Sequence, residues 1–208
     1  MATPLVTKAD GTKFGKTEGG TVWLDAAMTS PYAFFQFWLN SEDAIVGNLL
    51  RIFTDRGREE IEALEQAVAD RPAAREAQRA LAADVTSLVH GEAATRSVQA
   101  ASAALFGQGE LAELDPATLA DSLAELPRAT VRWDGDGPLP LTVELFAEAG
   151  LVPSRSAARR TVAEGGAYLN NSRVTDPDHV AEPADLLAGR WLVLRRGRRS
   201  LAAVEVRR

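Results

Sequence analysis

Lys13, Lys16 and Thr17, in the run Lys13-Phe14-Gly15-Lys16-Thr17, are the residues whose spacing most directly implies chemistry. Two ammonium groups three residues apart on a glycine-containing turn suit closure over a polyanionic leaving group as negative charge builds on it. Lysine is a compact point charge that follows phosphate oxygens as they move, where arginine prefers a fixed fork. With Lys8 these are all the lysines of the chain. Glycines at 11, 15, 19 and 20 add backbone freedom and disfavour helix or strand, so a mobile cationic loop is expected. The run lacks the GxxxxGK(S/T) spacing of a Walker-type phosphate loop, and no apolar strand feeds directly into it.

A second chemical signature lies near the other end. Ser154 is placed to cap a helix that carries Arg155, Arg159 and Arg160 on adjacent faces and stops at Gly165-Gly166. Further on, 191–194 and 201–204 read as paired strands across a turn bearing Arg195, Arg196, Arg198 and Arg199 around Gly197. Guanidinium groups on a rigid helix and a hairpin tip suit salt-dependent contact with successive phosphates.

The stretch between these two groups is helical in pattern. Ser30 and Pro31 start an aromatic helix over 32–39, read as core because its apolar groups surround it instead of forming one exposed row. Ser41-Glu42-Asp43 is expected to cap the next helix, with Ile45, Leu49, Ile52 and Phe53 inward. In a third, 58–69, Glu59, Glu60, Glu62 and Glu65 read as a solvated face. Pro72 opens a long helix to His90, apolar at Leu81, Val85, Leu88 and Val89 and ended by Gly91; His90 is assigned capping or packing, not catalysis. Helices from 92 to 106 and from Asp115 to 126 follow. Residues 128–140, with two glycines and two prolines, read as a flexible linker. A helix over 141–149 precedes the arginine helix, and a short strand at 167–169 with a turn at Asn170-Asn171 follows it.

Composition narrows the class. Hydrophobic residues at 46% and charged residues at 25% are those of a globular, not a disordered, chain. The absence of cysteine excludes disulfides and thiolate metal sites, and no metal-ligating set is read elsewhere. With no signal-like segment and no apolar run near the roughly 20 residues a membrane span needs, no membrane partner and a cytoplasmic location are expected. Residues 1–140 hold 12 Lys and Arg against 21 Asp and Glu, a net of −9, whereas residues 141–208 hold 11 against 8, a net of +3. An acidic body with a phosphate-facing end follows.

The lysine run resembles the KMSKS signature of class I aminoacyl-tRNA synthetases, in the KFGKT form of tyrosyl-tRNA synthetases. Pro4-Leu5-Val6-Thr7-Lys8-Ala9-Asp10-Gly11-Thr12 before it, with Val22-Trp23-Leu24-Asp25 and Thr29-Ser30-Pro31-Tyr32 after it, is similar to the same family. So are Ile61-Glu62-Ala63-Leu64 and Leu88-Val89-His90-Gly91. Residues 150–160 with Glu164-Gly165-Gly166 and Asn170 resemble the RNA-binding module of ribosomal protein S-four type, which closes bacterial tyrosyl-tRNA synthetases; Thr161-Val162 departs where larger aliphatics are frequent. The resemblance implies an α + (α+β) chain: a segment 1–29 from the edge of the catalytic domain, a helical anticodon-binding-type domain over 30–127, the linker 128–140, and an S-four-type α+β domain over 141–208. It implies that Lys13 and Lys16 stabilise pyrophosphate as tyrosine attacks ATP (with Mg), that Lys16 contacts ATP, and that Thr17 hydrogen-bonds nearby. It also implies that the seven arginines above hold tRNA(Tyr), and that the intact enzyme is a homodimer. No HIGH motif is present, since Val89-His90-Gly91 ends a helix, and the nucleotide-binding α/β domain is expected to be missing. The chain alone is therefore expected to lack tyrosine–tRNA ligase activity. The alternative is a stand-alone RNA-binding protein.

Overall fold

The computed structural model describes residues 16–17 and 20–208. Lys13, its neighbours Phe14 and Gly15, and the Pro4 to Thr12 run lie outside the described residues. Strands β1 (Lys16–Thr17) and β2 (Gly20–Thr21) pair antiparallel, Lys16 opposite Thr21 and Thr17 opposite Gly20. This corrects the expectation that the glycines keep the segment out of strand: cross-strand pairing satisfies backbone groups and overrides local propensity. The described residues are helix-rich, with a five-stranded mixed sheet besides the β1–β2 pair, and the chain divides into two compact units, Met1–Val98 and Gln99–Arg208.

In the first unit, α1 (Pro31–Leu39), α2 (Asp43–Phe53), α3 (Arg58–Asp70) and α4 (Glu76–His90) form a bundle in which α4 packs on the other three. The Ser30 hydroxyl accepts the Ala33 amide at 3.2 Å, as its position predicts, and Tyr32, Phe34, Phe35 and Trp38 are buried. Three other expectations fail. No side chain caps α2; instead the Asp43 carboxylate accepts from the Gln78 amide at 2.6 Å, and Val46, Gly47, Leu49 and Leu50 form the buried face while Ile52 is exposed. The helix from Pro72 is broken at Arg75, in the left-handed region at φ 50°. Arg75 donates to the carbonyls of Leu39 at 2.7 Å and Ser41 at 3.2 Å, so a cation completes the C-terminal end of α1 at the cost of an interruption in its own helix. Leu88 is accordingly exposed, and Ala77, Gln78, Leu81, Ala82 and Val85 make the core face. Finally, Glu65, though 38% exposed, is not free in solvent. A Cβ at Gly47 would fall 2.0 Å from its carboxylate, and Arg51 grips that carboxylate through both guanidinium nitrogens at 2.8 and 2.7 Å.

Helix α5 (Glu92–Leu105) carries the division between the units. Helix α6 (Pro116–Ala124) begins at Asp115, whose carboxylate takes the Thr118 amide at 2.9 Å; that amide and the Thr118 hydroxyl hold the acid below its ordinary value. Residues 128–132, read as part of a linker, are β3 (Arg128–Arg132), which pairs in parallel with a strand some 75 residues further along, so those five belong to the sheet. After α7 (Thr142–Glu148) and α8 (Arg155–Ala163) come β4 (Ala167–Leu169), β5 (Ser172–Arg173), β6 (Trp191–Arg196) and β7 (Ser200–Arg207), in the sheet order β3-β7-β6-β4-β5. One sheet face, with Val131, Leu192, Leu194, Ala202, Val204 and Val206, packs on Val143, Phe146, Ala158 and Val162 of α7 and α8. The Ala203 amide bonds to the Pro127 carbonyl and the Asn171 side chain to the Ala104 carbonyl, which ties the ends of α6 and α5 to the sheet and makes residues 99–127 part of this unit. Among the described residues no helix is long and apolar enough to cross a membrane.

His90 closes α4 with its ring edge-to-face on Phe34, centroids 4.8 Å apart, and Nε2 buried without a partner. This is the packing role. Burial lowers its basicity below the ordinary 6.5, so the unfolded chain binds the proton first. The stability His90 confers is complete above that value and declines as pH falls below it. Nuclear magnetic resonance titration of the His90 ring is expected to give a midpoint below 6.5, and His90→Phe to remove its share of the acid destabilisation in denaturant midpoints; a midpoint at or above the ordinary value refutes this.

Candidate nucleic-acid interface

Helix α8 presents its arginines because Ser154 fixes its start: the hydroxyl accepts the Ala157 amide at 3.2 Å, and Ala158 and Val162 anchor the opposite face in the core. Arg155 pairs with Glu144 of α7 at 2.8 Å, Arg159 pairs with Asp178, and Arg160 is exposed with no ion pair among the described residues. Asp178 is brought to Arg159 by a loop pinned on the start of α7, where the Thr142 amide meets the His179 carbonyl and the Thr142 hydroxyl lies 2.8 Å from His179 Nδ1. The Arg159–Asp178 pair is exposed on both sides, and such pairs contribute only about 0–1 kcal/mol, so phosphate can displace Asp178 at little cost, whereas Arg155, 67% exposed, is held by a Glu144 only 21% exposed and offers its outer edge.

The hairpin tip lies beside the C-terminal end of this helix. The Gly197 amide donates to the Gly166 carbonyl at 2.8 Å, and Thr161, Glu164 and Gly166 line an open groove together with Arg196, Arg198, Arg199 and Ser200. None of Arg196, Arg198 and Arg199 is in an ion pair among the described residues. Three guanidinium groups over one carboxylate make the groove cationic.

Arg195 does not join them. Strand alternation turns it to the other face, where its guanidinium lies 3.9 Å from the Tyr168 ring centroid and donates to the Gly197 carbonyl at 2.7 Å. It builds the hairpin, on the face opposite the groove. An arginine near this surface had no role in the sequence analysis: Arg173 of β5 lies against Gly165, where an added Cβ would come within 1.4 Å of its Nη2. Gly165 also has φ +70°, a backbone conformation that favours glycine, and any side chain there would push the flexible Arg173 guanidinium aside. The Asn170-Asn171 turn, both residues at positive φ, sets the β4–β5 register that brings Arg173 there, and the dipeptide was the available signal. Of the lysine segment the described residues show only the backbone pairing of Lys16 and Thr17.

The family model of class I tRNA synthetases (W and Y) matches residues 1–107, and that of the tyrosine--tRNA ligase SYY-like C-terminal domain matches residues 119–204. The chain belongs to the tyrosyl-tRNA synthetase family. It is 63% identical over 205 residues to the tyrosine--tRNA ligase of Streptomyces coelicolor, covering 99% of this chain and 47% of that protein. It is 59% identical to the tyrosine--tRNA ligase of Thermobifida fusca, covering 100% and 48%, and 54% identical to that of Mycobacterium bovis, covering 99% and 48%. The chain thus spans about half the length of the curated relatives it matches. Among solved structures, a solution structure of a tyrosyl-tRNA synthetase C-terminal domain aligns with 29% identity and a TM-score of 0.38, covering 48% of this chain and 96% of that one. A truncated mitochondrial tyrosyl-tRNA synthetase from Coccidioides posadasii aligns with 34% identity and a TM-score of 0.41, covering 47% and 25%.

Within this synthetase-family chain, Arg195 and Arg196 provide an internal comparison. Arg195→Lys keeps the charge but loses the planar stack on Tyr168. It is expected to cost about 1 kcal/mol of stability in urea denaturation while leaving the salt dependence of RNA binding unchanged. Arg196→Gln is expected to do the opposite. Equal effects of the two on RNA binding refute the separation.

Proposed function

We propose that this chain supplies the tRNA-holding part of a tyrosine–tRNA ligase, with the KFGKT segment serving the ATP step. The observation that carries the reading is the pairing of family membership with one cationic surface, in which α8 and the hairpin tip are joined through Gly166 and Gly197. Arg155, Arg159 and Arg160 would contact successive phosphates along the helix, and Arg196, Arg198 and Arg199 would extend that contact into the groove. Arg173 adds a further charge on the Gly165 side. The ligand is tRNA(Tyr), whose backbone matches a surface of guanidinium groups with no aromatic row for stacking bases.

Lys13 and Lys16 would stabilise the pyrophosphate of ATP as tyrosine attacks the α-phosphate, with Thr17 donating a hydrogen bond to the same oxygens. ATP, with Mg, is substrate in this step. Neither lysine can do this without a surface that holds tyrosine and the adenine end of ATP, so the segment acts as half of a site. Cytoplasmic location and homodimeric assembly belong to the same reading of the whole enzyme.

The 208-residue chain is expected to bind a tRNA(Tyr) transcript with an affinity that falls steeply as salt rises. Replacing Arg155, Arg159 and Arg160 by Ala should lower the slope of log affinity against log salt by about 2. Unchanged binding would refute the assignment. The chain by itself is expected to show no tyrosine-dependent ATP–pyrophosphate exchange, and exchange above background would locate the complete activity within these residues.

A further inference from the structure

The far end of β7 carries a second group of arginines, roughly 23 Å along the strand from the hairpin tip at 3.3 Å per residue. Arg132 and Arg207 stand directly opposite in the parallel β3–β7 pairing, with Thr130 opposite Glu205 one step inward. Alternation puts Arg132, Glu205 and Arg207 on one face, since Val131 and Val206 enter the core beneath α7 and α8. Glu205 is buried, 4% exposed, and both its carboxylate oxygens are used: Oε1 accepts from Arg190 and Oε2 from Arg207 at 2.7 Å. Arg190 also lies over the Trp191 ring, 5.1 Å from its centroid. The outer edges of these two arginines remain in water, with 55% and 60% side-chain exposure. Arg132 is exposed and joins no ion pair among the described residues.

Arg190 and Arg207 share the one Glu205 carboxylate and Arg132 stands opposite Arg207, so the group keeps two net positive charges, and like charges directly opposite on neighbouring strands oppose pairing. The nearby acids do not relieve this, since Asp134 accepts the Asp136 amide within its own turn and neither is ion-paired. Glu205 does less to neutralise the group than to orient it. By gripping Arg190 and Arg207 from below it fixes their side chains with donors directed outward, so an incoming anion meets ordered forks. Trp191 is buried and Trp133, beside Arg132, is partly buried against the core with its indole N–H on the Gly137 carbonyl, so the exposed chemistry here is guanidinium and favours backbone phosphate as the ligand.

We propose that the end of the sheet formed by Arg132, Arg190 and Arg207 is a second RNA-phosphate contact surface, oriented by Glu205 and separate from the α8 and hairpin-tip groove. It rests on the reading that the chain binds tRNA and adds a contact remote from the site assigned there.

The test is binding of a fluorescent tRNA(Tyr) transcript to the full 208-residue chain across a salt series. Arg132→Gln removes an exposed, unpaired side chain and is expected to lower the log–log slope by about 1; Arg132→Gln with Arg207→Gln is expected to lower it by about 1.5 to 2 and to weaken binding roughly tenfold. An unchanged slope in both overturns the proposal. Glu205→Gln adds a positive charge while loosening the two forks, so weaker binding is expected, and tighter binding overturns the orienting role. If the Arg155, Arg159 and Arg160 substitutions leave the slope intact while Arg132→Gln lowers it, the α8 assignment fails and this one stands. The reverse outcome overturns this one alone.

Discussion

Strand β7 is buried on both sides for six consecutive residues, Leu201 to Val206, and that constraint organises the second unit. A strand with two buried faces needs two covers. Helices α7 and α8 cover Ala202, Val204 and Val206. Leu201, Ala203 and Glu205 face the other way and are equally enclosed, in the unit that begins at Gln99 and is tied to the sheet through the Pro127 and Ala104 carbonyls. The cationic groove inherits its geometry from the first cover. Val162 is held in the same core as Leu192 and Leu194, so the end of α8 must come to rest beside the hairpin tip.

The same period of two sorts the arginines. Arg195 and Arg196 are neighbours in sequence, yet one stacks on Tyr168 and the other faces the groove. Arg207 and Val206 separate in the same way at the other end of the strand. The net charge of residues 141–208 says nothing of this. Much of that charge is engaged internally, in Arg155 with Glu144, Arg159 with Asp178, and Arg190 and Arg207 with Glu205. What an anion meets is set by which pairs are exposed and exchangeable. The Asp178 pair lies at the surface, Glu144 is largely covered, and Glu205 is buried and cannot leave.

Local chemistry in the sequence located what local chemistry controls. Ser30, Asp115 and Ser154 each accept a backbone amide three residues on, and the β6–β7 hairpin turns at Gly197 as its composition indicates. The misread features depend on partners distant in the chain. Arg128-Ala-Thr-Val-Arg132 has the alternation of a strand, but the glycines and prolines after it read as a linker, and its partner β7 lies far downstream. Arg75 breaks a helix because carbonyls of Leu39 and Ser41 need a donor there. Glu65 looks solvated until Gly47 lets α2 and α3 approach closely enough for Arg51 to reach it. The candidate site divides along the same line: α8 and the tip were legible as two arginine runs, but their adjacency rests on the Gly166–Gly197 hydrogen bond, and Arg173 on a two-residue asparagine turn.

Glycine at 165 shows how tightly fold and surface are joined here. Its positive φ ends α8 and starts the run into β4, a backbone task that many helix ends share. Its missing side chain also leaves room for the Arg173 guanidinium, which an asparagine tolerating the same φ would displace. A residue chosen only to stop a helix would not need both properties. The termination of the arginine helix and the placement of a further arginine beside it are therefore one structural decision, and the cationic surface is built into the turn itself.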